Sequence, residues 1–283
     1  MRSIDTDRTA DRVQIELFRT ATVARRASLA RSLSTTVLQL SQRAIREANP
    51  TDDWQALATR FAALCYGRGL AEELKRDLAD RNRERFLNLT PQDVLAAVTP
   101  VVDALERLRA RHHIGGSLAS SAHGVPRATA DVDLMADLRP EHVDALVAEL
   151  QSAYYIDREQ VVEAIRERRS FNLIHLNTMV KVDVFIPEAS SFDEQELSRA
   201  RPLTLDSAPD ARSFYVKAPE DLVLRKLIWY RAGNQVSERQ WSDVIGVLKV
   251  QAGQLDQDYL ARWAAELGLR DLLERALAQA ADD

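Results

Sequence analysis

The chain has 283 residues and a mass of 31.8 kDa; 46% of its residues are hydrophobic, enough for a substantial core and for two domains. With 38 basic against 43 acidic side chains, the net charge of -5 excludes a strongly basic nucleic-acid coat and a block-acidic disordered tail. One cysteine, Cys65, excludes an internal disulfide framework. The charged start predicts no signal peptide, and no apolar run approaches the roughly 20 residues that span a bilayer. A soluble, cytoplasmic protein with no membrane partner is expected.

Residues 1–86 read as helices. The segment from Thr9 to Thr20 carries Val13, Ile15, Leu17 and Phe18. A longer one from Val23 to Ala48 repeats Leu29, Leu33, Val37, Leu40 and Ile45 near helical spacing, which predicts that this stripe faces a core. Asn49-Pro50 stops it. Asp52 and Asp53 offer caps for a third helix with Trp54, Leu57, Phe61 and Leu64, in which Cys65 is expected as a small buried hydrophobe. Gly67 and Gly69 break the chain before a helix from Leu70 to Arg85. This stretch holds 16 basic and 12 acidic side chains against 22 and 31 in the remainder. It reads as a helical N-terminal domain with solvated charges, or as a basic element that steers a polyanion.

The pattern changes at Thr90. Thr90-Pro91 caps and opens a helix running to about Arg111. Ile114 then leads into Gly115-Gly116-Ser117, and Asp131 to Ala136 alternates as a strand. Pro140 to Ser152 is amphipathic, and Phe171–Leu176 and Met179–Ile186 form a strand pair about a turn at Asn177-Thr178. Ser213 to Lys217 is expected as an edge strand. Helices follow over Glu220–Ala232, Ser237–Val250, Asp256–Leu267 and Arg270–Ala280. The expected class is α/β (α+β): a mixed sheet over 87–217, preceded by the helical domain 1–86 and followed by a helical subdomain 218–283.

Three features carry chemistry. In a strand, Asp131 and Asp133 point to one face while Val132 and Leu134 enter the core, so the two carboxylates are placed to bind hard cations. The Gly115-Gly116-Ser117 turn before a helix lets backbone amides and a hydroxyl approach a phosphate. In Val180 to Ile186 the valines and the isoleucine define the buried face, which leaves Asp183 opposite, with Lys181 and Phe185. Each feature alone is common: an exposed strand face, an ordinary turn, a solvated carboxylate. If the two strands are neighbours, three carboxylates converge. His112, His113 and His123 lack ligand spacing, and His123 is expected in an exposed loop, with approach to a phosphate as the alternative.

In this order, Gly116-Ser117, Arg127-Ala-Thr129, Asp131-x-Asp133 and Asp183 resemble the signature of the polymerase β-like nucleotidyltransferase superfamily, over residues of about 90 to 250. The resemblance implies a nucleotidyltransferase core in which Gly116, Ser117, Arg127 and Thr129 hold the nucleotide. Asp131 and Asp133 would bind two Mg²⁺ ions, and Asp183 would ligate the catalytic one and act as, or near, the general base. Lys226 on one helix, with Arg239 and Asp243 on the next, is similar to the AbiEii-type toxin nucleotidyltransferases. There Lys226 would touch the triphosphate, and Asp243 would assist the chemistry or orient Lys226 and Arg239. A plain Lys226–Asp243 salt bridge between packed helices is the alternative, as a simple pairing with a carboxylate is for Arg127. Trp229, Tyr230 and Trp241 read as core or as base-stacking rings.

The implied reaction moves a nucleoside monophosphate from an NTP to an acceptor hydroxyl or phosphate on RNA, a protein or a small molecule. An RNA-directed toxin, with an antitoxin partner or with cis-regulation by the N-terminal helices, is the leading version. A small-molecule, aminoglycoside-type nucleotidyltransferase and a non-catalytic nucleotide-binding protein are the rivals. The acidic balance of the last two thirds suits a cationic small molecule better than RNA.

Overall fold

The computed structural model describes residues 8–78 and 89–282. In chain order its elements are α1 (Arg8–Thr20), α2 (Val23–Ala48), α3 (Trp54–Tyr66), α4 (Arg68–Asp77), α5 (Pro91–Arg107), β1 (His112–Ile114), α6 (Gly116–His123), β2 (Asp131–Ala136), α7 (Val143–Leu150), β3 (Tyr154–Tyr155), α8 (Arg158–Glu167), β4 (Ser170–His175), β5 (Lys181–Phe185), α9 (Ser191–Arg199), β6 (Arg201–Thr204), β7 (Ser213–Val216), α10 (Pro219–Ala232), α11 (Glu238–Val250), α12 (Gln257–Glu266) and α13 (Arg270–Asp282). The class is α/β with mixed strand pairing. Among the described residues, no helix is long and apolar enough to cross a membrane. The helix expected from Leu70 to Arg85 appears as α4, which starts at Arg68, so that Gly69 lies within it rather than breaking the chain, and ends at Asp77; residues 79–85 lie outside the described residues.

The chain divides into two compact units, one of residues 1–30, 113–127 and 189–283, the other of residues 31–112 and 128–188. In the second unit the strand order is β3-β4-β5-β2; β3, β4 and β5 pair antiparallel, and β5 and β2 pair in parallel. The alternation expected from sequence holds: Val132, Leu134, Val182, Val184, Phe171 and Leu173 are buried on one face, where Tyr154 of β3 donates its hydroxyl to the Ala97 carbonyl of α5 (2.7 Å). The opposite face carries Asn172, Asp183 and Asp133 in one row and Ile174, Lys181 and Asp131 in the next. Ile174 belongs to a core built with Leu38, Trp54, Leu57, Phe61, Leu74 and Leu78, so α2, α3 and α4 pack on the face that holds the carboxylates. Asp53 caps α3 by accepting from the Ala56 amide (2.8 Å), which fixes where that helix begins.

Helix α2 corrects the sequence reading. Leu33, Val37 and Leu40 are 46%, 51% and 60% exposed, whereas Arg31, Ser34, Thr35 and Gln42 are buried. The helix turns a mostly polar face inward because that face meets the backbone leading into β2, where the Ser34 hydroxyl accepts from the Thr129 amide (2.9 Å). Cys65, expected inside, is exposed at the outer side of α3 with Leu64.

In the first unit β1 pairs with β7 in parallel through Ile114 and Val216, and β6 pairs antiparallel with β7. Strand β7 is therefore flanked on both sides rather than at an edge. Its second neighbour, Arg201-Pro202-Leu203-Thr204, escapes the sequence because it has no apolar alternation; a proline without an amide hydrogen suits such a short strand. Ser237 and Asp256, where the sequence begins these helices, cap α11 and α12. Gly124, at the end of α6, lets that helix approach α11: an added Cβ would lie 2.8 Å from the Val247 nitrogen. A buried ionic layer joins α9 and α10, with Glu196 taking both Lys217 and Arg225.

Candidate functional site

The carboxylates are placed by strand register. β2 and β5 are adjacent and parallel, with Asp133 opposite Asp183 and Asp131 opposite Lys181. Paired residues on neighbouring strands project to the same side, so Asp183 joins Asp131 and Asp133, whose spacing already set them together, on one face. They are held individually. The Thr129 hydroxyl donates to Asp131 Oδ1 (2.7 Å), and the Lys181 ammonium donates to Asp183 Oδ2 (2.6 Å). Among the described residues no three His, Cys, Asp or Glu side chains are drawn together as a metal-holding group. The expected convergence is thus one of register and face, without a finished cage, because hydrogen bonds to protein donors hold Asp131 and Asp183 where they are.

The donor set nevertheless fits a hard cation. Asp183 is 8% exposed, and its Oδ1 is buried with no hydrogen-bond partner. A buried bare carboxylate oxygen is costly, and an oxygen-seeking divalent ion satisfies it. Burial pushes the Asp183 carboxyl above its ordinary value and the nearby Asp131 charge adds to this, while the bond and charge of Lys181 oppose it.

Around this face lie residues that the sequence did not single out. The Tyr66 hydroxyl donates to the Met179 carbonyl (2.8 Å) and lies 3.3 Å from the Ala130 carbonyl, so α3 clasps the segments that enter β5 and β2. Lys181 Nζ sits 5.7 Å from the centre of the Tyr66 ring. Burial holds the Tyr66 hydroxyl well above its usual pKa, with the charges of Cys65, Asp131 and Asp183 adding, so it stays a neutral donor. Ser34 and Tyr66 come from helices with no chemical motif. Lys181 is the exception, since its place two residues before Asp183 puts both on one strand face.

The remaining residues form a second cluster, in the first unit. Gly116 adopts φ of 52°, a left-handed conformation at the first turn of α6 that glycine enters without strain. Next to it, Ser117 Oγ accepts from Arg127 (2.6 Å) and lies 3.4 Å from an Arg239 guanidinium nitrogen. Arg127 forks onto Asp243 with contacts of 2.7 and 2.8 Å, and Lys226 Nζ reaches the same carboxylate at 2.7 Å and Gln240 at 3.0 Å. The expected Lys226–Asp243 pair is present, and Arg127 makes it a triad. Burial raises the Asp243 pKa, but the bonds and charges of Arg127 and Lys226 outweigh it and leave the carboxyl below its ordinary value. Chemically this is a cationic cradle on a buried anion, with a hydroxyl between two guanidinium groups.

Two further expectations resolve in this unit. His123 is buried on α6, not exposed in a loop; its Nε2 donates to the Lys217 carbonyl (2.9 Å), and burial lowers its pKa to about 4, which keeps the ring neutral. Tyr230 and Trp241 pack ring to ring at 5.0 Å under Arg275, and Trp229 is 53% exposed.

No protein-family model matches the chain, and no curated protein matches it in sequence. Three solved structures with partial likeness are nucleotidyltransferases or are described as like them. The antibiotic-resistance factor ANT(2'')-Ia in solution is 14% identical, with 68% of this chain and 96% of that one covered and a TM-score of 0.39. An antigenic nucleotidyltransferase-like protein from Paracoccidioides brasiliensis is 19% identical over 66% of this chain and 93% of that one, with a TM-score of 0.37. ANT(2'')-Ia in complex with adenylyl-2''-tobramycin is 13% identical over 65% and 98%, also with a TM-score of 0.37.

Proposed function

We propose that this protein is a Mg²⁺-dependent nucleotidyltransferase that moves a nucleoside monophosphate from an NTP to an acceptor hydroxyl or phosphate, releasing pyrophosphate. The observation that carries this reading is the in-register placement of Asp133 opposite Asp183, with Asp131 on the same face and Asp183 Oδ1 buried without a partner. Two divalent ions held by Asp131, Asp133 and Asp183 would lower the pKa of the attacking hydroxyl and neutralise the triphosphate. Thr129 fixes the rotamer of Asp131, and Asp183 takes the proton of the acceptor hydroxyl or stands beside the group that does. Ser117, Arg127, Arg239 and Lys226 offer hydrogen-bond donors for phosphate oxygens, with Asp243 holding Arg127 and Lys226 until a nucleotide arrives.

The leading acceptor is the 3′ end of an RNA, which makes the protein an RNA-directed toxin whose partner is an antitoxin or its own N-terminal helices. The contact of Ser34 and Tyr66 with the backbone around the carboxylates supports a restraint in cis. A second reading, a cationic small-molecule acceptor, is favoured by the 31 acidic against 22 basic side chains that follow residue 86.

The test is incubation with each α-³²P-labelled NTP, Mg²⁺ and either total RNA or a panel of aminoglycosides, beside the Asp131→Ala/Asp133→Ala variant. Label on either acceptor, lost in the variant, is the expected outcome and selects between the two. Absence of label on RNA, on small molecules and on the protein itself sinks the reading.

A further inference from the structure

We infer that Lys181 is the resident counter-ion of the metal site, and that a divalent cation enters by displacing its ammonium from Asp183. The inference rests on the reading of the carboxylate face as a metal site. Lys181 lies on that face by register, opposite Asp131 and two residues before Asp183 on its own strand. Its Nζ is 2.6 Å from Asp183 Oδ2, with side-chain exposures of 18% and 12% for the two partners. One ammonium in one hydrogen bond compensates one carboxylate oxygen, and the other, Oδ1, stays buried and bare. A divalent ion carries twice the charge in a smaller shell and takes several oxygens at once. The ammonium and the ion therefore compete for one carboxylate, and close together they repel.

The displaced ammonium keeps a partner. It already stands 5.7 Å from the centre of the Tyr66 ring, whose face attracts cations. The ring itself is fixed, by the hydroxyl bond to Met179 (2.8 Å) and an edge contact with Phe61 at 6.1 Å. Tyr66 thus acts as the rest on which Lys181 turns. Through it the helical first third of the chain sets how firmly the metal-free state is closed.

The experiment is titration with Mn²⁺ alone, followed by electron paramagnetic resonance near neutral pH, of the wild-type chain, Lys181→Met and Asp183→Asn. The methionine keeps the apolar stem and removes the charge. Wild-type binding that Asp183→Asn abolishes, and that becomes about tenfold tighter in Lys181→Met, is expected from loss of a charge-assisted bond in a half-buried setting. Asp183-dependent binding of equal or weaker affinity in Lys181→Met overturns the counter-ion role and leaves the metal site standing. Absence of any Asp183-dependent Mn²⁺ binding overturns both. A second arm uses only the folded wild-type chain: amine acylation of Lys181, read by mass spectrometry, should speed up severalfold when Mg²⁺ is added. An unchanged or slower rate overturns the displacement.

Discussion

Two cations converge on Asp243. Arg127 and Lys226 both end on its carboxylate, and Lys226 and Asp243 have side-chain exposures of only 6% and 4%. Asp243→Asn leaves two cations without their anion and is expected to cost about 3–5 kcal/mol in urea unfolding. If the cradle holds a triphosphate, saturating NTP should recover more stability in Asp243→Asn than in the wild type, because phosphate supplies the missing charge. Equal gains in both would deny the cradle a phosphate role. His123 gives a pH-dependent expectation. Burial holds its pKa near about 4, below the 6.5 of an unfolded histidine, so the neutral folded ring contributes stability that is complete above pH 6.5 and is lost as pH falls through about 4. The shift corresponds to about 3 kcal/mol. His123→Gln should flatten the acid limb of the stability profile across that window, and an unchanged limb would count against the buried neutral ring.

Among the elements, α2 shows most clearly how packing overrides a pattern. The spacing of Leu33, Val37 and Leu40 is helical and apolar, yet those residues are exposed, and the inward face is that of Ser34 and its buried polar neighbours. Periodicity reports that a stripe exists; which side of the helix meets a partner depends on residues far away in the chain, here the Thr129 amide. Strands β2, β4 and β5 were legible because their alternation is regular and both faces are specified. β3 and β6 were not, being two and four residues long with no alternation to read. The capped C-terminal helices followed their local signals closely, since a cap depends on its own few residues. Where α6 meets α11, Gly124→Ala would push a methyl group to within 2.8 Å of the Val247 nitrogen. A loss of about 1–3 kcal/mol in thermal unfolding is expected, as for other overpacked contacts.

At the level of the whole molecule, the two units are not consecutive pieces of sequence: one takes residues 31–112 and 128–188, the other the three remaining segments. Leu38, Trp54, Leu57, Phe61, Leu74 and Leu78 share a core with Tyr155, Ile174, Leu176 and Met179. Removing residues 1–86 therefore strips the cover from the carboxylate-bearing face, and residues 87–283 alone are expected to lose cooperative unfolding in circular dichroism. A sharp transition in that fragment would show the helices to be an independent attachment. Local backbone geometry alone makes two features legible along the chain, the strand alternation that sets Asp131 and Asp133 on one face and the glycine turn before Ser117. It took long-range packing to set Asp183 opposite Asp133 and to bring Arg127 onto the Asp243 carboxylate that Lys226 also reaches. Those outcomes depend on strand order, register and long-range packing, which bring together groups whose distance along the chain carries no signal of their contact.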